Sequence, residues 1–562
     1  MSFSIYQSYF LAFLWVPAII GYGGLLLETL SVKMENNLYR FVFLSGLAGL
    51  GVISGLTTIA NFFLPISMAI SFLILAVGYV AFFKYARAHL HIQYTGNCIV
   101  MATVFIICFG LSQIGCPLHG GDTMGYHIQC VKWIQESTVP VGIVHFVERL
   151  ASNNSLFMIS AVVELGIFTN YSIFITNGFF VFFISIGIVG VVMQTLQKIS
   201  NLELSSTFLI LSLFTVFVGA YKFLGNLYIE LSTGVLTVAL VYLLIELYEC
   251  SSKQHLVSKR QDIIKLTIFF AAFGITLKLS MLVISFFVFI SALLLSGNFI
   301  HEAKNSSKTI LVVFALLVAP WILRSVFMSG TILYPVASTR IGFLEWTASI
   351  EHCNNIATMI MDWAKGNGRT PDIPFQGFEW VENWIRNHFF RQLDTNRTLA
   401  VIVVSLMAMV VLKVKKHDLQ VRAKIAFVFF PIIMGLIYWF LTAPDVRFGF
   451  ALWYSLAFLL LSIVLISVQV DNVKRYRVGF ISVLFVVVAI ATFNDAQKKI
   501  REIPDGLTYP GLPVAKYESK LDDGGVKYFE LIDGNCGNTP LPCGKPPQIF
   551  IKHNPEFFKQ HK

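Results

Sequence analysis

The sequence predicts an all-α polytopic membrane protein with about fourteen transmembrane helices, two long exterior loops and a small exterior C-terminal tail; three observations carry this. Apolar residues fill 56% of the 562 positions and charged residues only 13%, too few to cover a soluble protein of this size, where about 25% is usual. The apolar residues, 52 of them Phe, run in unbroken stretches of spanning length, whereas barrel strands would alternate. The basic residues lie between those runs. Short cytoplasmic loops therefore account for the net charge of +10, and a nucleic-acid partner, which would need a basic stripe with interleaved aromatics, is not expected.

Taken in order, spans are expected near 9–27, 41–61, 66–83, 98–115, 172–195, 206–221, 228–248, 263–277, 279–297, 309–327, 398–414, 424–443, 448–469 and 478–494. The stretch 263–297 reads as two short helices or as one helix broken around Lys278. Lys33 with Arg40, Lys84 with Arg87, Lys198, Lys253 with Lys259 and Arg260, Lys304 with Lys308, Lys413 with Lys415 and Lys416, and Lys474 with Arg475 and Arg477 all follow odd-numbered spans. One orientation satisfies them, placing both termini and the loops 116–170 and 328–397 outside. Lys498, Lys499 and Arg501 run against it, but long translocated segments obey the charge rule weakly. The N-terminus has no basic region of the kind that opens a cleavable signal. The chain thus divides into N-terminal helices (1–97), a transmembrane module with the two loops (98–494) and a tail (495–562).

Cysteine usage agrees with an exterior tail. Cys98 and Cys108 belong to a span, whereas Cys536 and Cys543 flank the turn Asn538-Thr539-Pro540-Leu541-Pro542. That spacing suits a local disulfide in an oxidising compartment; zinc is the alternative, but no clustered His completes four ligands.

The chemistry is sought in the exterior segments. In Gly120-Gly121-Asp122-Thr123-Met124-Gly125-Tyr126-His127 the glycines let the backbone carry Asp122 close to a ligand, and a carboxylate beside Tyr126 and His127 could deprotonate an acceptor hydroxyl. Equally, Asp122 could cap the helix starting near Thr123, with His127 a satisfied surface histidine. Arg149 follows in the same loop, and Glu230 sits near the exterior start of a span, as a second acid or a partner for an Arg. Lys278 interrupts an apolar stretch, which is costly unless it serves a ligand, has a partner or snorkels to the headgroups. Arg324 and Arg447 each stand at an exterior helix end. In the second loop Trp346, Trp363, Trp380 and Trp384 with Arg340, Arg369, Arg386 and Arg391 suit sugar faces and phosphate, or equally an interfacial aromatic belt.

Three of these motifs, Gly-Asp-Thr-x-x-Tyr-His followed by Lys132-Trp133-Ile134, Pro320-Trp321-x-x-Arg324 leading to Ser329-Gly330 and Tyr334-Pro335, and Ala443-Pro444-Asp445-x-Arg447-Phe448, occur in an order that resembles polytopic glycosyltransferases of the GT-C fold class. More narrowly, with the Pro-Leu-Pro-Cys ending, they resemble a bacterial branch of uncharacterised membrane proteins. The resemblance implies a polyprenyl-phosphate-linked sugar donor and an inverting transfer to a glycan, lipid or protein acceptor. The setting would be the periplasmic face of the bacterial inner membrane, with both termini periplasmic. By position Asp122 becomes the catalytic base, Tyr126, His127 and Arg149 join the substrate site, and Lys278, Arg324 and Arg447 bind the donor phosphate, with Glu230 beside them. Thr123 stands where the commoner forms carry a second acid, which leaves dependence on a divalent metal open, and no other cofactor is implied. A polysaccharide repeat-unit polymerase and a lipid-linked glycan flippase or other transporter are the alternatives.

Overall fold

In a computed structural model the chain is an all-α polytopic membrane protein whose helices begin where the hydrophobic runs do. The structure describes residues 3–34, 37–86, 95–114, 121–165, 174–198, 203–251, 253–366, 375, 377–390, 393–411, 419–467, 508–509, 516–522, 524–532 and 535–560. The span expected at 478–494, Gly120, Arg87, Arg369, Arg391 and the basic clusters around 413–416, 474–477 and 498–501 lie outside these residues. Among the described residues eight helices are long and apolar enough to cross a membrane, or nine if the bent pair Met281–Leu295 with Phe299–Asn305 forms one span. Shorter apolar helices, Gly96–Ser112, Leu204–Ala220 and Asn396–Val410, coincide with three further expected runs.

The first helices are α1 (Ile5–Thr29), α2 (Leu38–Asn61), α3 (Met68–Ala81) and α4 (Thr95–Ile114). Helix α2 is buried nearly all round, and its glycines explain how. A Cβ on Gly49 would strike the Ile19 carbonyl of α1, and one on Gly46 the Phe183 ring of a later helix, so small residues let three helices approach closely. Helix α3 instead leaves Phe72, Leu73, Val77 and Val80 uncovered. An apolar exterior of this kind suits the hydrocarbon of a bilayer.

The first loop, read from the sequence as polar, is in part an apolar buried segment. It forms α5 (Ile128–Glu136) and α6 (Ser155–Val163), and every residue of α6 is buried among the membrane helices. The remaining helices are α7 (Thr176–Lys198), α8 (Leu204–Leu211), α9 (Leu213–Phe223), α10 (Ile229–Ser251), α11 (Val257–Leu277), α12 (Met281–Leu295), α13 (Phe299–Asn305), α14 (Ser307–Val313), α15 (Ala319–Ser329), α16 (Ile350–Lys365), α17 (Trp380–Trp384), α18 (Leu393–Val411), α19 (Leu419–Thr442) and α20 (Val446–Ser467). The stretch 263–297 resolves into two helices: Lys278 takes an extended conformation after α11, and the chain turns back so that Gly274 faces Met281 and Ser285 of α12. Lys278 therefore lies at a helix turn.

Arg40 and Glu246 pair at 2.7 Å, and Lys265 reaches the Leu30 carbonyl at 2.9 Å, which ties the connection between α1 and α2 to the ends of α10 and α11. Phe3 and Ser4 pair with Tyr509 and Thr508, so the N-terminus and the start of the tail meet.

The tail continues as a hairpin, Tyr517–Leu521 with Lys527–Leu531, then a Cys536–Cys543 disulfide and two short helices, Gln548–His553 and Pro555–Gln560. It has little core of its own and uses that of the first loop. Phe550, Phe557 and Trp133 of α5 pack ring against ring, Gln129 donates to the Gly537 and Thr539 carbonyls, and the Gly537 amide donates to the Met124 carbonyl. Burial of each of these Phe side chains contributes roughly 2–3 kcal/mol.

Candidate active site

The segment that carries Asp122 enters the bundle as a widened helical turn, Thr123–His127, directly before α5. Asp122 occupies its N-cap position with helical backbone angles, and its carboxylate makes no capping hydrogen bond. The capping alternative fails for that reason. The carboxylate turns instead to Arg447 at the start of α20, with Oδ2 3.6 Å from the guanidinium. Gly121 has a specific role here: a Cβ would come within 3.3 Å of the Tyr228 hydroxyl, which lies against the Asp122 backbone.

A second ion pair stands beside the first. Glu230, in the first turn of α10, accepts from Lys278 at 3.1 Å, so Glu230 is the partner of the Lys at the α11–α12 turn and not of an Arg. Glu230 is almost wholly buried, whereas Lys278 keeps about a quarter of its side chain accessible. Phe448 joins the two pairs, with Lys278 Nζ 3.9 Å and the Arg447 guanidinium 4.7 Å from its ring centre. The Arg447 guanidinium also lies 4.8 Å from the Trp363 ring of α16. Trp363 is thus the second-loop tryptophan that reaches the site.

Tyr126 and His127 complete one wall. Arg149 lies over the Tyr126 ring at 5.6 Å, and Asp122, Arg149 and Glu230 all act electrostatically on Tyr126. His127 is not a surface histidine: it is 2% exposed, edged by Tyr126 and packed on Phe157, and its Nδ1 has no hydrogen-bond partner among the described residues. Burial pulls its imidazole down to about 3, against the attraction of Glu230 and with the help of Arg447, Lys278 and Arg149, so the ring is neutral at physiological pH.

Seven sequence-nominated residues thus share one site: Asp122, Tyr126, His127, Arg149, Glu230, Lys278 and Arg447. Arg324 does not join them. It is 4% exposed, donates to Asn153 Oδ1 at 2.9 Å and lines a separate cavity. Trp380 and Trp384 build an apolar cluster with Trp439, Trp346 packs on His553 of the tail, Arg386 pairs with Glu382 and Arg340 donates to the Ala348 carbonyl. Among the described residues no group of three or more His, Cys, Asp or Glu side chains gathers to hold a metal.

A family model described as a domain of unknown function, DUF8201, matches residues 8–454, most of the chain. The chain belongs to the DUF8201 family. No curated protein and no solved structure matches it. The DUF8201 match takes in the whole site and Arg324 and stops short of the disulfide-closed tail.

Of the rings around Arg447 in this DUF8201 protein, Trp363 is one of the tryptophans that the sequence nominates, whereas Tyr228 and Phe448 are not nominated. Phe448 directly follows Arg447, but nothing in the sequence marks Tyr228 or Trp363 as its ring partners, because those contacts join distant helices.

The buried His127 predicts a pH response. Its folded pKa is depressed, so the unfolded chain binds a proton that the folded chain refuses. Its contribution to stability is intact above about 6.5 and is lost at ~1.4 kcal/mol per pH unit as the pH falls towards 3. Thermal unfolding in detergent between pH 7 and 4.5 should show a shallower acid slope for His127→Gln than for the wild type; equal slopes would refute the assignment.

Proposed function

We propose that this protein is a membrane glycosyltransferase of GT-C-like architecture that moves a sugar from a polyprenyl-phosphate donor to a cell-envelope glycan, lipid or protein. The observation that carries the reading is the convergence at one site of an uncapped carboxylate, Asp122, with Arg447, Lys278 and Arg149. In this reading Asp122 takes the proton from an acceptor hydroxyl, whose oxygen attacks the anomeric carbon from the face opposite the phosphate. The bond from that carbon to the phosphate oxygen breaks, the lipid phosphate leaves with the electron pair, and configuration inverts. Arg447 and Lys278 stabilise the charge that grows on the departing phosphate, and Arg149 holds the rim. Arg324, buried apart, has no part in donor binding. About fourteen spans, a bacterial inner-membrane location and periplasmic termini belong to the same reading, which puts the site and the disulfide-closed tail on the periplasmic side.

A second reading, a lipid-linked glycan flippase or transporter, draws on one feature, the charged turn at Lys278 between two apolar helices. Purified protein in liposomes with a polyprenyl-phosphate sugar and envelope acceptors decides between them. Sugar transfer to the acceptor is expected. Translocation of the intact lipid-linked sugar without transfer would overturn the enzyme reading.

A further inference from the structure

Behind the site, between α5, the segment 140–152 and α15, lies a largely enclosed cavity with room for about one water-sized species. Its polar lining is supplied by Arg324, Trp133, Cys130 and Ser152, which can all donate a hydrogen bond. Arg324 Nε and Trp133 Nε1 are both buried without a hydrogen-bond partner among the described residues, and the two residues are 4% and 2% exposed. Among the described residues Arg324 has one polar partner, the neutral Asn153 Oδ1, and no carboxylate pairs with it. Burial pushes the nearby Cys130 thiol up to about 12, so it stays protonated and cannot serve as the counter-charge.

A buried guanidinium without a counter-charge is strongly destabilising, and leaving its N–H unsatisfied adds to the cost. Water can fill the space but brings no charge, and a phosphate is too large for it. We infer that the cavity binds a single halide ion, chloride being the ordinary occupant, held by Arg324 and Trp133 with Ser152 and Cys130 at its edge. The ion would tie the first exterior loop to the end of α15 independently of whatever substrate the Asp122 site takes. Phe157 lines this cavity and also packs on His127, so the halide site shares a wall with the candidate active site.

The test uses the full-length protein in detergent at constant ionic strength, with chloride or bromide replacing gluconate, which cannot enter. The midpoint of thermal unfolding should rise saturably with either halide. Trp133→Phe keeps the ring and removes the N–H, and should raise the half-saturating halide concentration about ten-fold, as expected for the loss of one hydrogen bond to a charged group. Arg324→Met should abolish the response. Should Arg324→Met fail to fold, the Trp133→Phe titration decides alone. No difference between halide and gluconate, or a Trp133→Phe response equal to the wild type, would overturn the inference in favour of a water-filled cavity. Failure of sugar transfer would leave it untouched.

Discussion

Protein carrying Asp122→Asn should retain donor binding and lose sugar transfer by about 10²–10⁴-fold, the range that a positioned general base contributes. The substitution preserves size and removes the ability to accept a proton. Asp122 is set up for this role by what it does not do: its side chain makes no capping bond, and its carboxylate faces Arg447 at 3.6 Å, longer than a hydrogen bond. That spacing orients the group while leaving its oxygens open to an acceptor. Binding should survive because Lys278 and Arg149 are unaltered and Arg447 is freed from its partner. The measurement is donor affinity beside single-turnover transfer, on the same preparation. Near-normal transfer would remove Asp122 as the base, and loss of binding together with transfer would reassign it to holding Arg447 in place.

Much of the bundle was legible because hydrocarbon imposes a simple demand, that every backbone polar group be satisfied within a long apolar helix. The runs at 9–27, 41–61 and 228–248 map onto α1, α2 and α10 for this reason. What failed were stretches whose surroundings are other protein. The apolar segment of α6 is too short to span, so it passed for part of a polar loop, yet it is buried throughout. Arg324 was misjudged by its position along the helix alone. Around α15, Trp321, Arg324, Ser325 and Met328 are buried whereas Leu323 and Phe327 are exposed. That division into a polar-bearing and a purely apolar face was present in the sequence, and it says that Arg324 turns inward to the protein. The ring contacts of Arg447 with Tyr228 and Trp363 had no such signal, since they depend on how separate helices are placed. The disulfide needed only local spacing. How the tail docks depended on Trp133 and the phenylalanines of its last helices, a pairing across hundreds of residues.

The Glu230–Lys278 pair should show a large effect of a different kind, on stability. Glu230→Gln leaves Lys278 beside a neutral amide in a mostly buried setting, and Lys278→Met leaves the more deeply buried Glu230 without its ion-pair partner and with only the more distant attraction of Arg447. Breaking one side of a buried pair costs about 3–5 kcal/mol, because the remaining ion has lost water and gained little in return. Of the two, Lys278→Met should be the more damaging, since Lys278 can turn its accessible end to solvent whereas Glu230 cannot. The double variant Glu230→Gln with Lys278→Met removes both charges and should recover most of the lost stability, as measured by thermal unfolding in detergent. Transfer activity should not recover with it, because the lost ammonium is one of the groups that meet the departing phosphate. A structural pair would regain both together, whereas a pair that also serves the donor regains stability alone. Recovery of transfer in the double variant would therefore strip Lys278 of its role at the phosphate and leave the turn between α11 and α12 as its only function.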